Sequence, residues 1–217
     1  MIARSVLLAL LLAAAAPAQA QSRSGKSEFY IGPAFTNSQS YVFEGGSSAQ
    51  TDTGTGFNLG FAKNFDSHFL GGFELGWGSA DYRATVMPGQ GNLNSPVRIN
   101  GVIETWSLRF LGTYHFLPGN FTPFGTFGAG WTNVDTNIPA GLPQDVCWYY
   151  PWWGPYCATY VPTRSTTKFS YNFGLGVRFD GPGYLLRGFY NQQWVDFGGN
   201  YGQAPLGQWR LEIGSRF

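Results

Sequence analysis

The chain has 217 residues, of which 31 are glycine, 18% are aromatic and only 12% are charged, against about 25% charged in an ordinary soluble domain. Too few charges are present to coat a water-exposed surface, yet a mean hydropathy of -0.14 excludes a helical membrane protein; a transmembrane β-barrel, whose alternate residues face lipid and lumen, satisfies both. Setting aside Arg4 leaves 12 of the 13 basic residues against 12 acidic ones, so no basic field exists for nucleic acid.

The N-terminal stretch has one arginine, an apolar run from Val6 to Ala16 and the small-residue pattern Ala18-Gln19-Ala20. It reads as a secretory signal peptide over residues 1–20, cut after Ala20. The run is shorter than the roughly 20 residues of a spanning helix, and no second long apolar run follows. Residues 21–217 are expected to form one domain.

Eight segments then alternate in the manner of strands. They are Glu28–Thr36, Gly54–Asn64, Phe69–Tyr82, Thr105–Phe116, Thr122–Asn133, Phe169–Phe179, Leu185–Trp194 and Trp209–Phe217. The clearest are the fourth, sixth and eighth. In the eighth, Trp209, Leu211, Ile213 and Phe217 share one face and Arg210, Glu212 and Arg216 the other. The fifth and seventh are ambiguous in phase, because "FGTFGAGW" and "LLRGFYNQQW" carry large residues on both parities.

Connections between these segments alternate long and short. The long ones are 37–53, 83–101, 134–166 and 195–206; the short ones, 65–68, 117–121 and 180–183, are rich in turn residues such as "LPGN" and "DGPG". Long outer loops and short periplasmic turns are expected of an outer-membrane barrel, placing both ends of residues 21–217 in the periplasm. Trp77, Trp106, Trp131, Trp194 and Trp209 fall towards the outer strand ends, and Phe69, Tyr114, Phe116, Phe179 and Phe217 towards the periplasmic ones. Those are the levels that amphipathic rings favour. The fold class is therefore all-β, an eight-stranded antiparallel up-and-down barrel, and the location the outer membrane of a Gram-negative bacterium.

The alternation points Glu74, Arg109, Arg178, Arg187, Arg210 and Glu212 into a lumen that side chains can fill. Buried charges must pair, so a structural ionic plug is expected. With four arginines facing two glutamates, any water-filled path would prefer anions. Leu70, Leu111 and Phe189 on the inward parity keep open a route for small hydrophobic molecules.

Outer loop three holds "CWYYPWWGPYC". Export to an oxidising compartment predicts a Cys147–Cys157 disulfide, closing a ring that contains Trp148, Tyr149, Tyr150, Trp152, Trp153 and Tyr156. These rings either pack on one another and on the outer headgroup layer, or recognise a sugar, peptide or host surface with preordered aromatic area. The two cysteines have no nearby histidine and match no zinc pattern, so no metal or cofactor is expected. The glycines of the strands do not precede a helix and form no phosphate loop; on inward positions they make room in a crowded lumen. The two histidines, His68 and His115, read as solvated residues of periplasmic turns, and Asp52, Asp135, Asp145 and Asp196 show no motif spacing, so no catalytic residue is assigned and the chain is not read as an enzyme.

The chain resembles the small eight-stranded outer-membrane barrels of the OmpA, OmpX and OmpW kind along the whole of residues 21–217. The terminal "WRLEIGSRF", with Trp209, Leu211, Ile213 and Phe217, is similar to their last-strand signal, which implies insertion by the outer-membrane assembly machinery. "NFDSHFLGGFELGWGSADY" and the cysteine-bracketed loop resemble more narrowly a set of uncharacterised porin-family barrel proteins, a resemblance that implies no activity. The expected function is non-enzymatic: a mostly closed barrel contributing to envelope structure or surface interaction. The alternative is a narrow OmpW-like passage for small hydrophobic or anionic solutes, and a lipid-modifying enzyme or protease ranks third. Outer-membrane lipid, lipopolysaccharide and a glycan or host surface are the expected partners.

Overall fold

Alternating apolar and polar residues can bury one face and wet the other only as strands, and closing those strands into a ring leaves no unpaired edge in lipid. A computed structural model describes residues 23–42, 46–87, 95–139, 144–152, 154–160, 163–196 and 203–217. The expected leader, residues 1–20, lies outside them. Twelve strands are present in these residues: β1 (Ser27–Thr36), β2 (Gln39–Val42), β3 (Ser48–Thr51), β4 (Gly54–Asn64), β5 (Phe69–Val86), β6 (Val97–His115), β7 (Phe121–Pro139), β8 (Gln144–Tyr150), β9 (Gly154–Tyr160), β10 (Thr163–Asp180), β11 (Tyr184–Asp196) and β12 (Gln203–Arg216).

Eight of them, β1, β4, β5, β6, β7, β10, β11 and β12, pair antiparallel with their sequence neighbours. The ring closes where β1 meets β12, with Ile31 opposite Ile213 and Phe35 opposite Trp209. Ser27 and Phe217 exchange backbone hydrogen bonds of 2.8 and 3.0 Å at the seam. Short β2 and β3 continue the β1–β4 hairpin outward, β3 pairing with the far end of β5. β8 and β9 form a separate two-stranded sheet.

The outward face is apolar. Trp209, Leu211, Ile213 and Phe217 are 56 to 62% exposed, as lipid-facing residues must be when water is the reference. The phases of the two ambiguous strands are settled by packing: β7 turns Thr122, Phe124, Thr126 and Thr132 inward, and β11 turns Leu185, Arg187, Phe189, Asn191, Gln193 and Val195 inward.

Five strands are clearly longer than the alternation indicates: β12 begins at Gln203 rather than Trp209, inside the expected connection 195–206, and four others are extended at their outer ends. β5, β6, β7 and β10 have 18 or 19 residues each, whereas crossing the bilayer takes about 9 to 11. Residues 83–86, 97–104, 134–139 and 163–168 extend the ladders above the membrane. Neither face of such an extension meets lipid, so its period is short and broken: in 97–104 Val97, Ile99 and Ile103 alternate with Arg98, Asn100 and Glu104, but Gly101 and Val102 interrupt the contrast.

Inward glycines make room for neighbours at two key places. A Cβ on Gly76 would stand 2.8 Å from Asn58 Oδ1 and 3.1 Å from Arg109 Nη2, and one on Gly60 would enter the Tyr30 ring. At the first periplasmic turn, Asp66 Oδ1 accepts from the backbone N–H groups of His68 and Phe69 at 2.6 and 2.7 Å. Those bonds, Phe69's first, hold its carboxyl below the usual carboxylate range.

Candidate functional site

The lumen contains two ion networks stacked along the axis. In the middle, Glu74 on β5 takes Arg109 of β6 on one oxygen, Nη2 to Oε1 at 2.6 Å, and Arg210 of β12 on the other. Arg210 also donates to Glu212 Oε1 at 2.7 Å, and Glu212 takes Arg187 of β11 on its second oxygen. Signs alternate along this chain of five residues, so every charge lies against its opposite. Further contacts flank it: Arg109 donates to Asn58 Oδ1 and Gln193 Oε1 at 3.0 Å each, and the Arg187 guanidinium stacks 3.9 Å from the Tyr30 ring centre.

A second network fills the periplasmic end. Arg178 binds Glu28 through both terminal nitrogens at 2.9 and 2.5 Å, and Asp180 Oδ1 through Nε and Nη2 at 2.9 and 2.7 Å. Asn64 Nδ2 donates to Glu28 Oε1 at 2.6 Å. Arg23 donates through Nε to Asp180 at 2.5 Å, through Nη1 to the carbonyls of Ser67 at 3.3 Å and Leu117 at 3.2 Å, and through Nη2 to that of Gly119. One side chain thus ties together all three periplasmic turns and closes the mouth of the barrel.

Of the six charged residues the alternation points inward, Glu74, Arg109, Arg187, Arg210 and Glu212 meet in the middle network and Arg178 belongs to the lower one. Glu28, Asp180 and Arg23 complete the lower network and were not among the candidates. Glu28 and Asp180 continue the inward parity of Tyr30 and Arg178 and were within reach of the same rule; Arg23 precedes every strand and had no signal.

His115 departs from the expectation of a solvated turn residue. It closes β6, is fully buried, and its Nε2 is 3.4 Å from Arg178 Nη1. The inward parity of Arg109 and Thr113 runs on to it, two residues before the turn at 117–121. His68 does sit in the first turn, half-buried, with Nδ1 2.9 Å from Ser67 Oγ. Leu70 and Phe189 are buried inward, Leu70 in a small apolar cluster with Tyr30, Ala62 and Leu185, while Leu111 is half-buried.

Beyond the barrel, β8 and β9 form the hairpin of outer loop three, with Cys147 directly opposite Cys157 and joined to it by a disulfide. Trp152 is 90% exposed and Tyr149 71%. Backbone register sets Trp148 opposite Tyr156 and Tyr150 opposite Gly154; Trp153 lies outside the described residues.

A ring of eight antiparallel strands with lipid-type residues outside, paired charges inside and long connections at one end only is a transmembrane barrel of the bacterial outer-membrane type. The chain belongs to the outer membrane protein beta-barrel domain family, whose model matches residues 6–217, and it is an outer-membrane protein. Among solved structures it is similar to the outer membrane protein OprG from Pseudomonas aeruginosa, at 14% identity and a TM-score of 0.54 over 89% of this chain and 96% of that one. It is also similar to Ail, the attachment invasion locus protein of Yersinia pestis, solved in complex with the heparin analogue sucrose octasulfate, at 18% identity and a TM-score of 0.46 over 89% of this chain and 99% of that one. No curated protein matches the sequence.

Proposed function

We propose that this barrel is a non-enzymatic, closed outer-membrane protein that acts at the cell surface, presenting the disulfide-closed hairpin of outer loop three to a sugar or peptide surface. The observation that carries the reading is the exposure of Tyr149 on β8 and of Trp152 in the turn that follows it, on a hairpin pinned by the disulfide. Large aromatic rings held rigid and unburied supply contact area at little entropic cost. The two ion networks support the closed lumen. Both histidines lie at the periplasmic side, remote from outer-leaflet lipid and extracellular peptide, which supports a non-enzymatic role.

In this reading residues 1–20 are the secretory leader, and Trp209, Leu211, Ile213 and Phe217 form the signal read by the assembly machinery. The test is a glycan and peptide array probed with the folded protein. Trp152→Ala combined with Tyr149→Ala is expected to abolish selective binding while leaving heat-modifiable electrophoretic mobility unchanged. Equal binding by the double variant would refute the hairpin's role.

A further inference from the structure

Above the middle network the lumen opens into a cavity of about 160 Å³ at the outer end. Its walls are mostly apolar, with Ile103 of β6, Val134 of β7, Val195 of β11, and Ala204 and Leu206 of β12; Tyr41, Thr51 and Ser79 also line it. Val195 is fully buried, whereas Ile103, Val134 and Leu206 are half-buried. A 150 Å³ apolar cavity accommodates one benzene ring, so this space fits a single six-membered ring.

Its floor is different in kind. A smaller recess of about 30 Å³ lies beneath it, sharing Thr36, Gly78, Thr105, Leu206 and Gln208 with the cavity and bounded below by Asn58, Ser107 and Arg109. Asn58 is 2% exposed and its Nδ2 has no hydrogen-bond partner; the Oε1 of Gln208 is likewise buried and unpartnered. A buried donor and a buried acceptor left open at one recess cost free energy until something satisfies both. Hydroxyl groups do so, accepting from Asn58 Nδ2 and donating to Gln208 Oε1.

We infer that the outer lumen is a binding site for one small uncharged ring compound bearing a hydroxyl group, with the ring between Ile103, Val134, Val195 and Leu206 and the hydroxyl between Asn58 and Gln208. Charged ligands are disfavoured, because Arg109 below is already committed to Glu74, Asn58 Oδ1 and Gln193. The site is separate from the hairpin of loop three and goes beyond the function proposed for it.

The experiment titrates 4-fluorophenol and fluorobenzene into the full chain folded in nanodiscs, read by fluorine NMR, with empty nanodiscs as reference. The expected result is a saturable component of one molecule per barrel, with 4-fluorophenol about three- to tenfold tighter than fluorobenzene, the worth of one satisfied hydrogen-bonding group. The Asn58 side-chain amide signal moves with the same saturation curve. Ala204→Phe and Leu206→Phe, which fill the cavity from its wall, abolish the saturable component while the folded band persists on heat-modifiable gels. Shifts that only grow linearly, as in empty nanodiscs, overturn the proposal, as does an unmoved Asn58 amide in the unaltered protein. Saturation untouched by a folded filling variant, or fluorobenzene binding as well as 4-fluorophenol, overturns it equally.

Discussion

Arg23 shows how much one side chain decides when its partners come from distant parts of the chain. Its contacts are Asp180 and three turn carbonyls, and its side chain is 2% exposed. A guanidinium suits this place because its planar fork reaches several acceptors at once. Arg23→Met keeps the stem and removes the donors, leaving Asp180 to Arg178 and Arg216. It is expected to lower stability by about 1.5 to 3 kcal/mol and to speed amide hydrogen exchange at residues 117–120, measured by urea unfolding in micelles and by exchange mass spectrometry. Exchange in the middle strands stays unchanged.

Among the elements, the hairpin of loop three is coupled least to the rest, since β8 and β9 pair only with each other. Its disulfide spans a sequence separation of 10 and is worth about 2 to 3 kcal/mol to the hairpin in the chain-entropy model. Reduction with dithiothreitol, or Cys147→Ser with Cys157→Ser, is expected to expose residues 144–160 to chymotrypsin within minutes while the barrel keeps its urea midpoint. A falling midpoint would mean that the hairpin braces the barrel. The same scale shows where alternation works as a guide. Within the membrane β10 and β12 are legible residue by residue, because lipid on one side and a polar lumen on the other impose period two. Above it, β3, the outer ends of β5 to β7, and β8 with β9 add side-chain ties such as Arg83 to Asp52, Thr163 to Asp135 and the Cys147–Cys157 disulfide to their backbone pairing, but no lipid face imposes a sustained period on them.

At the scale of the whole molecule the buried charge is nearly balanced. Arg23, Arg109, Arg178, Arg187, Arg210 and Arg216 face Glu28, Glu74, Asp180 and Glu212 among the described residues. The excess of two positive charges matches the two arginines at the periplasmic mouth, Arg23 and Arg216, which donate to turn carbonyls and form ion pairs with Asp180. In planar bilayers the protein is therefore expected to show no large, steady conductance, and its residual leak to prefer anions. Glu74→Gln removes the carboxylate that separates Arg109 from Arg210. It should destabilise the barrel by about 3 to 5 kcal/mol and increase anion-selective flicker, read from the reversal potential in a salt gradient. Porin-sized steps from the unaltered protein would refute the plug.

The sequence by itself determined the membrane class, the eight-strand meander and the inward facing of the six charges from Glu74 to Glu212, since period two is written into covalent geometry and requires no partner. Tertiary structure decided which charges meet, that Arg178 pairs with Glu28 across 150 residues, that His115 is buried, and that an apolar cavity rests on unpartnered polar groups. These depend on register and on strands brought together only when β1 meets β12, and a linear period carries no information about either.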